Sequence, residues 1–433
     1  MYIRKSFFLF FALMFSLQAL SQSGINSPYT RYGVGDIVLG KYTRHMALGG
    51  LSISQRGPGM VNFCNPASYT AFDTNSFVLE TGLVGSISEI STTSLSQTNK
   101  NATFGYLLLG FPILKRKYEK NEAGITAWGC SLGLVPYSSV GYRLKTIDSV
   151  DQTGPFTNIY EGTGGLNQVY FGNAFRPVKN LSVGVNASLL FGTLGLNRTL
   201  FFSNTNYHSI YSETDAVISD IKFDLGLQYH AKVGKEGFFN AGLVYSNPAK
   251  MKSHNDTLVY TYITSGSNTS ILDTVVNASN VQGTLNLPSS IGGGITFGVT
   301  NVFLAGVDFT FQDWSKYTYF GQSDSLANSK QISAGIQFSP YHGNTPNYFQ
   351  KIQYRIGFRY ADTYLKLRNT QLSEKAITFG FGLPLRKTKT MINIGFEFGE
   401  RGTTDQNLIH ERFGRVSLAF SLFDKWFYKK RFE

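Results

Sequence analysis

Charge and long apolar runs are both scarce in this chain. Only 15% of its 433 residues are Asp, Glu, Lys or Arg, too few to solvate the two or three soluble domains that the length would otherwise suggest. Beyond the N-terminus there is no run of 18 or more apolar residues, which excludes membrane crossing by helices. Cysteine is limited to Cys64 and Cys130, so no disulfide framework is available. Cys130 shares a strand face with Trp128, Leu132 and Leu134, a face expected to meet lipid, and Cys64 lies in an irregular stretch, so the two are expected to stay unpaired. The six histidines, at 45, 208, 230, 254, 342 and 410, show no metal-ligand spacing, and no Gly-x-Ser-x-Gly element accompanies them. No metal, cofactor or enzymatic activity is expected.

Aromatics and glycine are abundant. Tyr 25, Phe 36 and Gly 45 suit an amphipathic β wall with aromatic girdles at its two interfaces. Period-2 alternation bounded by Gly, Asn, Asp, Ser or Pro marks about fourteen strands, near 75–91, 101–113, 122–146, 164–177, 181–203, 214–233, 237–264, 283–299, 302–320, 329–340, 349–368, 372–385, 389–401 and 411–423. The clearest sets Ile352, Tyr354, Ile356, Phe358 and Tyr360 against Lys351, Gln353, Arg355, Gly357 and Arg359. Brief turns near 178–180, 233–236, 300–301 and 386–389 alternate with long polar connections near 147–163, 204–213 and 265–282, as in outer-membrane barrels. The fold class is therefore all-β, a transmembrane antiparallel β-barrel. With an even strand number both termini fall on the short-turn, periplasmic side.

Arg4 and Lys5, the apolar stretch Phe7 to Leu20 and the small-x-small Ala19-Leu20-Ser21 read as a signal peptide over 1–21. Residues 22–74 are expected to form a plug inside the lumen and 75–433 the barrel, ending in a basic-aromatic tail from Asp424 to Glu433. Gly24 to Gly59 holds eight glycines, and Pro28, Pro58 and Pro66 interrupt the same stretch, which disfavours both a long helix and a regular strand. The net charge of +12 is spread over turns such as Lys115-Arg116-Lys117 and Lys429-Lys430-Arg431; a dispersed charge on an exported chain points to lipid phosphates and solvent, not to nucleic acid.

Two places resemble the FadL-like family of outer-membrane long-chain fatty-acid and aromatic-hydrocarbon transporters. Ala47-Leu48-Gly49-Gly50 followed by Asn62 and Asn65-Pro66-Ala67 is similar to that family's N-terminal hatch, and Leu287-Pro288-Ser289-Ser290, Gly306-Val307-Asp308 and Trp314-Ser315-Lys316-Tyr317 are similar to its late-barrel pattern. The resemblance implies fourteen strands, a hatch at Asn65, Pro66 and Ala67, and a third-strand kink that opens the wall toward lipid, for which Pro136 is the suitable cause. Two departures stand out. Ser68-Tyr69 follow Asn-Pro-Ala where the family commonly has Gly-Leu, and the plug carries Arg31, Arg44 and Arg56.

Inward charges complete the candidate set. Lys222, Asp224, Asp308, Arg355, Arg359, Glu397 and Arg415 would either line wet space or latch Arg31, Asp36, Arg44 or Asp73 of the plug. Gly33-Val34-Gly35 and Gly292-Gly293-Gly294 lack the context of phosphate loops and read as turn and close backbone approach. The expected function is passive uptake of a hydrophobic small molecule through a plug-gated outer-membrane channel. The alternative is a non-transporting barrel subunit with a protein partner in a secretion or outer-membrane assembly complex.

Overall fold

Every second residue of a strand points to the same face, and in a bilayer the lipid face must be apolar while every backbone donor and acceptor finds a partner. The computed structural model of the chain describes residues 27–38, 42–115, 126–150, 154–204, 206–265, 268–324, 326–340, 347–385 and 389–426. These form one sheet of 19 strands: β1 (Asp36–Ile37), β2 (Ser76–Ser91), β3 (Ser96–Lys115), β4 (Ala127–Pro136), β5 (Ser138–Val150), β6 (Gly154–Val178), β7 (Leu181–Phe202), β8 (Ser209–Val233), β9 (Gly237–Ser246), β10 (Ala249–Ser265), β11 (Asn268–Leu287), β12 (Ser290–Val299), β13 (Phe303–Gln312), β14 (Thr318–Tyr319), β15 (Ser329–Phe338), β16 (Gln353–Leu367), β17 (Thr370–Pro384), β18 (Met391–Gly402) and β19 (His410–Lys425).

The ladder closes on itself, since β19 pairs antiparallel with β2 from His410 opposite Ser91 to Lys425 opposite Ser76. β4 runs on into β5, β9 into β10 and β11 into β12, with Pro136, Pro248 and Pro288 at the breaks, because proline cannot donate to the ladder. Fourteen strands therefore make the barrel wall. Its outer face exposes Leu83, Phe171, Leu225, Phe309, Ile356, Ile377 and Phe398, and its inner face buries Ser131, Asn186, Gln228, Thr296, Ser333, Thr378 and Ser417. The expected strand positions correspond to these crossings in order.

One rim carries the tight turns between β6 and β7, β8 and β9, and β12 and β13. There the backbone N–H of Trp426 donates to the Asn75 carbonyl at 2.8 Å, and its indole lies 5.0 Å from the Phe77 ring and 5.5 Å from the Phe111 ring. The rest of the expected tail lies outside the described residues, as does the expected signal peptide. The first described residue, Ser27, belongs to the opposite half of the barrel, where its N–H donates to the Gly141 carbonyl at 3.1 Å.

At that opposite rim the described residues of the long connections expected near 147–163 and 265–282 are strand. β6 and β8 have 25 residues each, more than twice the roughly 9–11 that cross a bilayer. Together with β5, β7, β10 and β11 they rise beyond the apolar band as one sheet. Polar residues on both faces gave these hairpins the composition of loops, yet a sheet standing in water needs no apolar face to keep its ladder. Among the described residues, β11 pairs from Asn268 to Gly283 with β10 only, and its other edge meets Thr318 to Phe320 at Thr284, Leu285 and Asn286.

Cys130 and Cys64 are not joined. Cys130 does not meet lipid as expected: it is 1% exposed, and its thiol donates to Asn173 Oδ1 at 2.9 Å beneath Trp128.

Candidate functional site

The N-terminal segment is short-range structure pinned by caps. Ser27 accepts from the Tyr29 N–H to start the turn Pro28–Arg31. Helix α1 (Thr43–Met46) ends in Gly49 and Gly50 at φ 71° and 93°, a left-handed path that favours glycine. Asn65 opens the turn Pro66–Ala71 by accepting from Ala67 N–H at 3.1 Å, and its amide donates to the Ile53 carbonyl at 2.8 Å. The Asn-Pro-Ala element thus ties the two arms of the segment together.

This segment runs around the inner wall in the order of the strands. Met46 lies against Gly395 of β18, Ala47 against Gly380 of β17, Leu48 and Gly49 against Gly357 of β16 and Gly335 of β15, and Leu51 against Gly306 of β13. Ile53 follows against Gly292 of β12 and Gly242 of β9, Asn65 and Pro66 against Gly226 of β8, Pro66 and Ala67 against Gly184 of β7, Tyr69 against Gly172 of β6 and Gly129 of β4, and Phe72 against Gly110 of β3. At most of these positions a Cβ would come within 3.0 Å of the segment, in several cases of its backbone. On β19, where no glycine serves, Ser417 Oγ and Thr43 Oγ1 share a hydrogen bond of 2.5 Å. A strand interior pays for glycine in stability, so a glycine on strand after strand at one height is a seat: a groove as deep as the missing side chains.

Apolar packing fills the space on either side of that groove. Tyr42, Phe63, Tyr69, Phe72, Tyr106 and Tyr170 form one buried cluster, and Tyr29, Val34, Tyr137, Trp314, Tyr317 and Tyr364 belong to a second toward the long hairpins.

The sequence-predicted charges divide into two groups. Asp308 does reach the segment: Oδ2 accepts from the Ser52 N–H at 2.6 Å and the Ile53 N–H at 2.7 Å. The others bond mainly within the wall. Arg359 pairs with Glu374 at 2.7 Å and with Glu397, which also takes Arg415 at 2.9 Å. Arg355 donates to Gln337, Gln353 and Asn393 at 3.0, 2.6 and 2.8 Å, and Lys222 pairs with Asp224. Inward side chains meet two apart on one strand, as Lys222 and Asp224 do, or opposite on the next, as Glu397 and Arg415 do, and the long Arg355 and Arg359 side chains reach past β17 to Asn393 and Glu397 of β18.

On the segment side, Arg31 stacks 4.3 Å over the Tyr160 ring, and Asp73 pairs with Lys389 near the short-turn rim. Arg44 is buried with Glu80 as its attractive charge. Burial, with Arg44 and Arg355 nearby, pushes the His45 imidazole down to about 3, so it stays neutral as it packs against Tyr42 at 6.0 Å.

Asp36, named among the segment charges that could be latched, is held by an arginine that was not anticipated. Arg401 of β18 donates to Asp36 Oδ1 at 2.6 Å, to Glu411 Oε2 at 2.8 Å and to Ser27 Oγ at 2.9 Å, and Ser27 in turn donates to Glu411. Alternation through Asn393, Gly395, Glu397 and Gly399 does place Arg401 inward, which is the signal that could have found it.

Pro136 sits where β4 gives way to β5. Above it the wall ladder parts: β3 pairs with β4 only from Leu107 to Lys115, and β5 pairs with β6 on one side and on the other with β1 at two positions. The proline thus stands at a break in the wall.

The BamG family model matches residues 2–433. The chain belongs to the BamG family. No curated protein matches the chain. Among solved structures, this BamG-family barrel is similar to the Pseudomonas putida toluene transporter TodX at 14% identity, covering 92% of this chain and 99% of that one with a TM-score of 0.57. The Ralstonia pickettii toluene transporter TbuX matches at 15% identity over 89% and 98% with a TM-score of 0.56, and a Pseudomonas aeruginosa FadL homologue at 10% over 89% and 98% with 0.55. This BamG-family chain thus has the barrel fold of the FadL-type channels.

Proposed function

We propose that this BamG-family chain is a sealed outer-membrane barrel that serves as a non-catalytic subunit of a secretion or outer-membrane assembly complex, with its N-terminal segment as a permanent plug. The observation that carries this reading is the seat of inward glycines. A gate must leave its site at modest cost, whereas this segment fills side-chain-deep gaps on strand after strand and would leave them empty on moving. In this reading the short-turn rim faces the periplasm and the long hairpins face outward. The outward sheet then supplies a contact surface. The unpaired edge of β11 and its exposed Ile271, Leu272, Val275 and Val276 are what an extended partner segment would pair with and cover.

Purification of the full chain from native outer membranes in mild detergent tests this. A stoichiometric protein partner is expected; a solitary barrel that retains a hydrophobic small molecule in its lumen would overturn the reading.

Passive uptake of a fatty-acid-like or hydrocarbon-like molecule is the second reading, favoured by the fold shared with the toluene transporters and by the wall break at Pro136. Asn65, Pro66 and Ala67 would then mark the gate, and Arg31, Arg44, Asp308, Arg355, Arg359 and Arg415 its polar lining. Under that reading Pro136→Val, which restores a ladder donor, closes the gap and lowers uptake of an aromatic hydrocarbon by liposome-reconstituted protein. Under the sealed-subunit reading, wild type and variant show equal background uptake.

A further inference from the structure

We infer that the barrel carries a binding site for a phosphorylated lipid on its outer wall, across the seam where β19 meets β2. The wall there is indented by a groove of about 990 Å³. Its sides are Phe398, Val416 and Ile87, all exposed to the bilayer, and it is deep because Gly414 and Gly85 face outward between them.

These two glycines differ from those of the seat. A Cβ at Gly85 would come no nearer than 4.0 Å to any neighbour, the Val416 carbonyl, and one at Gly414 would rest 3.5 Å from Phe398. No described residue fills the space their missing side chains leave. In contact with lipid, such a slot between aromatic and branched side chains accepts an acyl chain, whose burial there gains about 0.8 kcal/mol per methylene in the absence of competing lipid.

The charges above the groove say which lipid. Cross-strand register runs Phe358, Ile377, Phe398, Gly414, Ile87, Lys100 along one outward layer, so an exposed lysine ends an otherwise apolar row. The next layer toward the long hairpins is a ladder of alternating sign, Lys375, Glu400, Arg412, Glu89. In it Lys375 pairs with Glu400 at 2.7 Å and Glu89 accepts from Ser96 at 3.0 Å. This ladder marks where the apolar band ends. The ladder's two cations and two carboxylates balance one another, so Lys100, below it in the groove, is the charge that these two layers leave unmatched, and a phosphate beside it, with Arg412 at the head of the groove, would match it.

Delipidated full-length protein in detergent, titrated with dioleoyl phosphatidic acid or dioleoyl phosphatidylcholine and read by native mass spectrometry, tests the site. Wild type should retain phosphatidic acid over phosphatidylcholine by about fivefold or more per contributing cation. Lys100→Ala should remove most of that preference while leaving acyl binding. Gly85→Leu with Gly414→Leu should abolish retention of both lipids, with heat-modifiable migration on gels confirming that the barrel is folded. Equal retention of the two lipids by wild type, or a preference unchanged in Lys100→Ala, would overturn the proposal, and neither result depends on the glycine variants folding.

Discussion

Gly357→Val and Gly184→Val, made together, unseat the N-terminal segment while the barrel stays closed. A Cβ at Gly357 would collide with the Gly49 N and Leu48 C atoms, and one at Gly184 with the Pro66 C and Ala67 N atoms. The obstacles are backbone, so no rotamer change relieves them. Valine suits a strand better than glycine, but that gain is at most about 1 kcal/mol, against about 1–3 kcal/mol of overpacking at each site. The two positions lie on opposite parts of the wall and share no partner, so their costs add. The expected result is rapid protease cleavage within 27–72 and liposome leak to small solutes, both absent in wild type. Gly85→Val, where the added carbon has open space, is the control and should match wild type in protease resistance and in leak. A double variant that resists protease and leaks no more than its parent would mean that the glycine seat does not hold the segment.

That seat is where sequence reading fell short, although the wall was legible. Ile352 to Tyr360 and Val416 to Leu422 alternate because lipid on one side and a packed lumen on the other impose opposite polarities, and this rule is local. The rule has no purchase where both faces see water, so Asn268 to Gln282 resembled loop. Glycine defeats it differently: Gly184, Gly226 and Gly357 sit in mid-strand as neutral gaps in the pattern, and their meaning appears only when Pro66, Asn65 and Leu48 come from far along the chain to fill them. Asn65, Pro66 and Ala67 were recognisable as an element, and the structure gives that element its work in the Asn65 bonds to Ile53 and Ala67. The charges were legible as inward, but parity does not say which partner an inward charge will find. Asp308 reached the segment, whereas Arg355, Arg359 and Arg415 found neighbours in the wall.

Arg401→Met should release residues 27–38 while leaving 42–72 seated. The Arg401 guanidinium bridges Asp36 and Glu411, with Ser27 closing the set and the Tyr29 ring 5.4 Å from its centre. Glu411 is 3% exposed. Removing the arginine leaves that carboxylate buried beside Asp36, and breaking a buried pair from one side costs about 3–5 kcal/mol. The pair's own net worth is much smaller, since its desolvation offsets most of the attraction, so Arg401→Met with Glu411→Gln should recover most of the loss. Limited proteolysis with mass analysis of the fragments reads both outcomes. Arg401→Met is expected to be cut before residue 42 and the double variant to resist. Cleavage that spreads equally through 42–72 would show that the two parts of the segment are held as one unit, and a single variant as resistant as wild type would mean that Tyr29, Val34 and their apolar neighbours hold the first part without the ionic set.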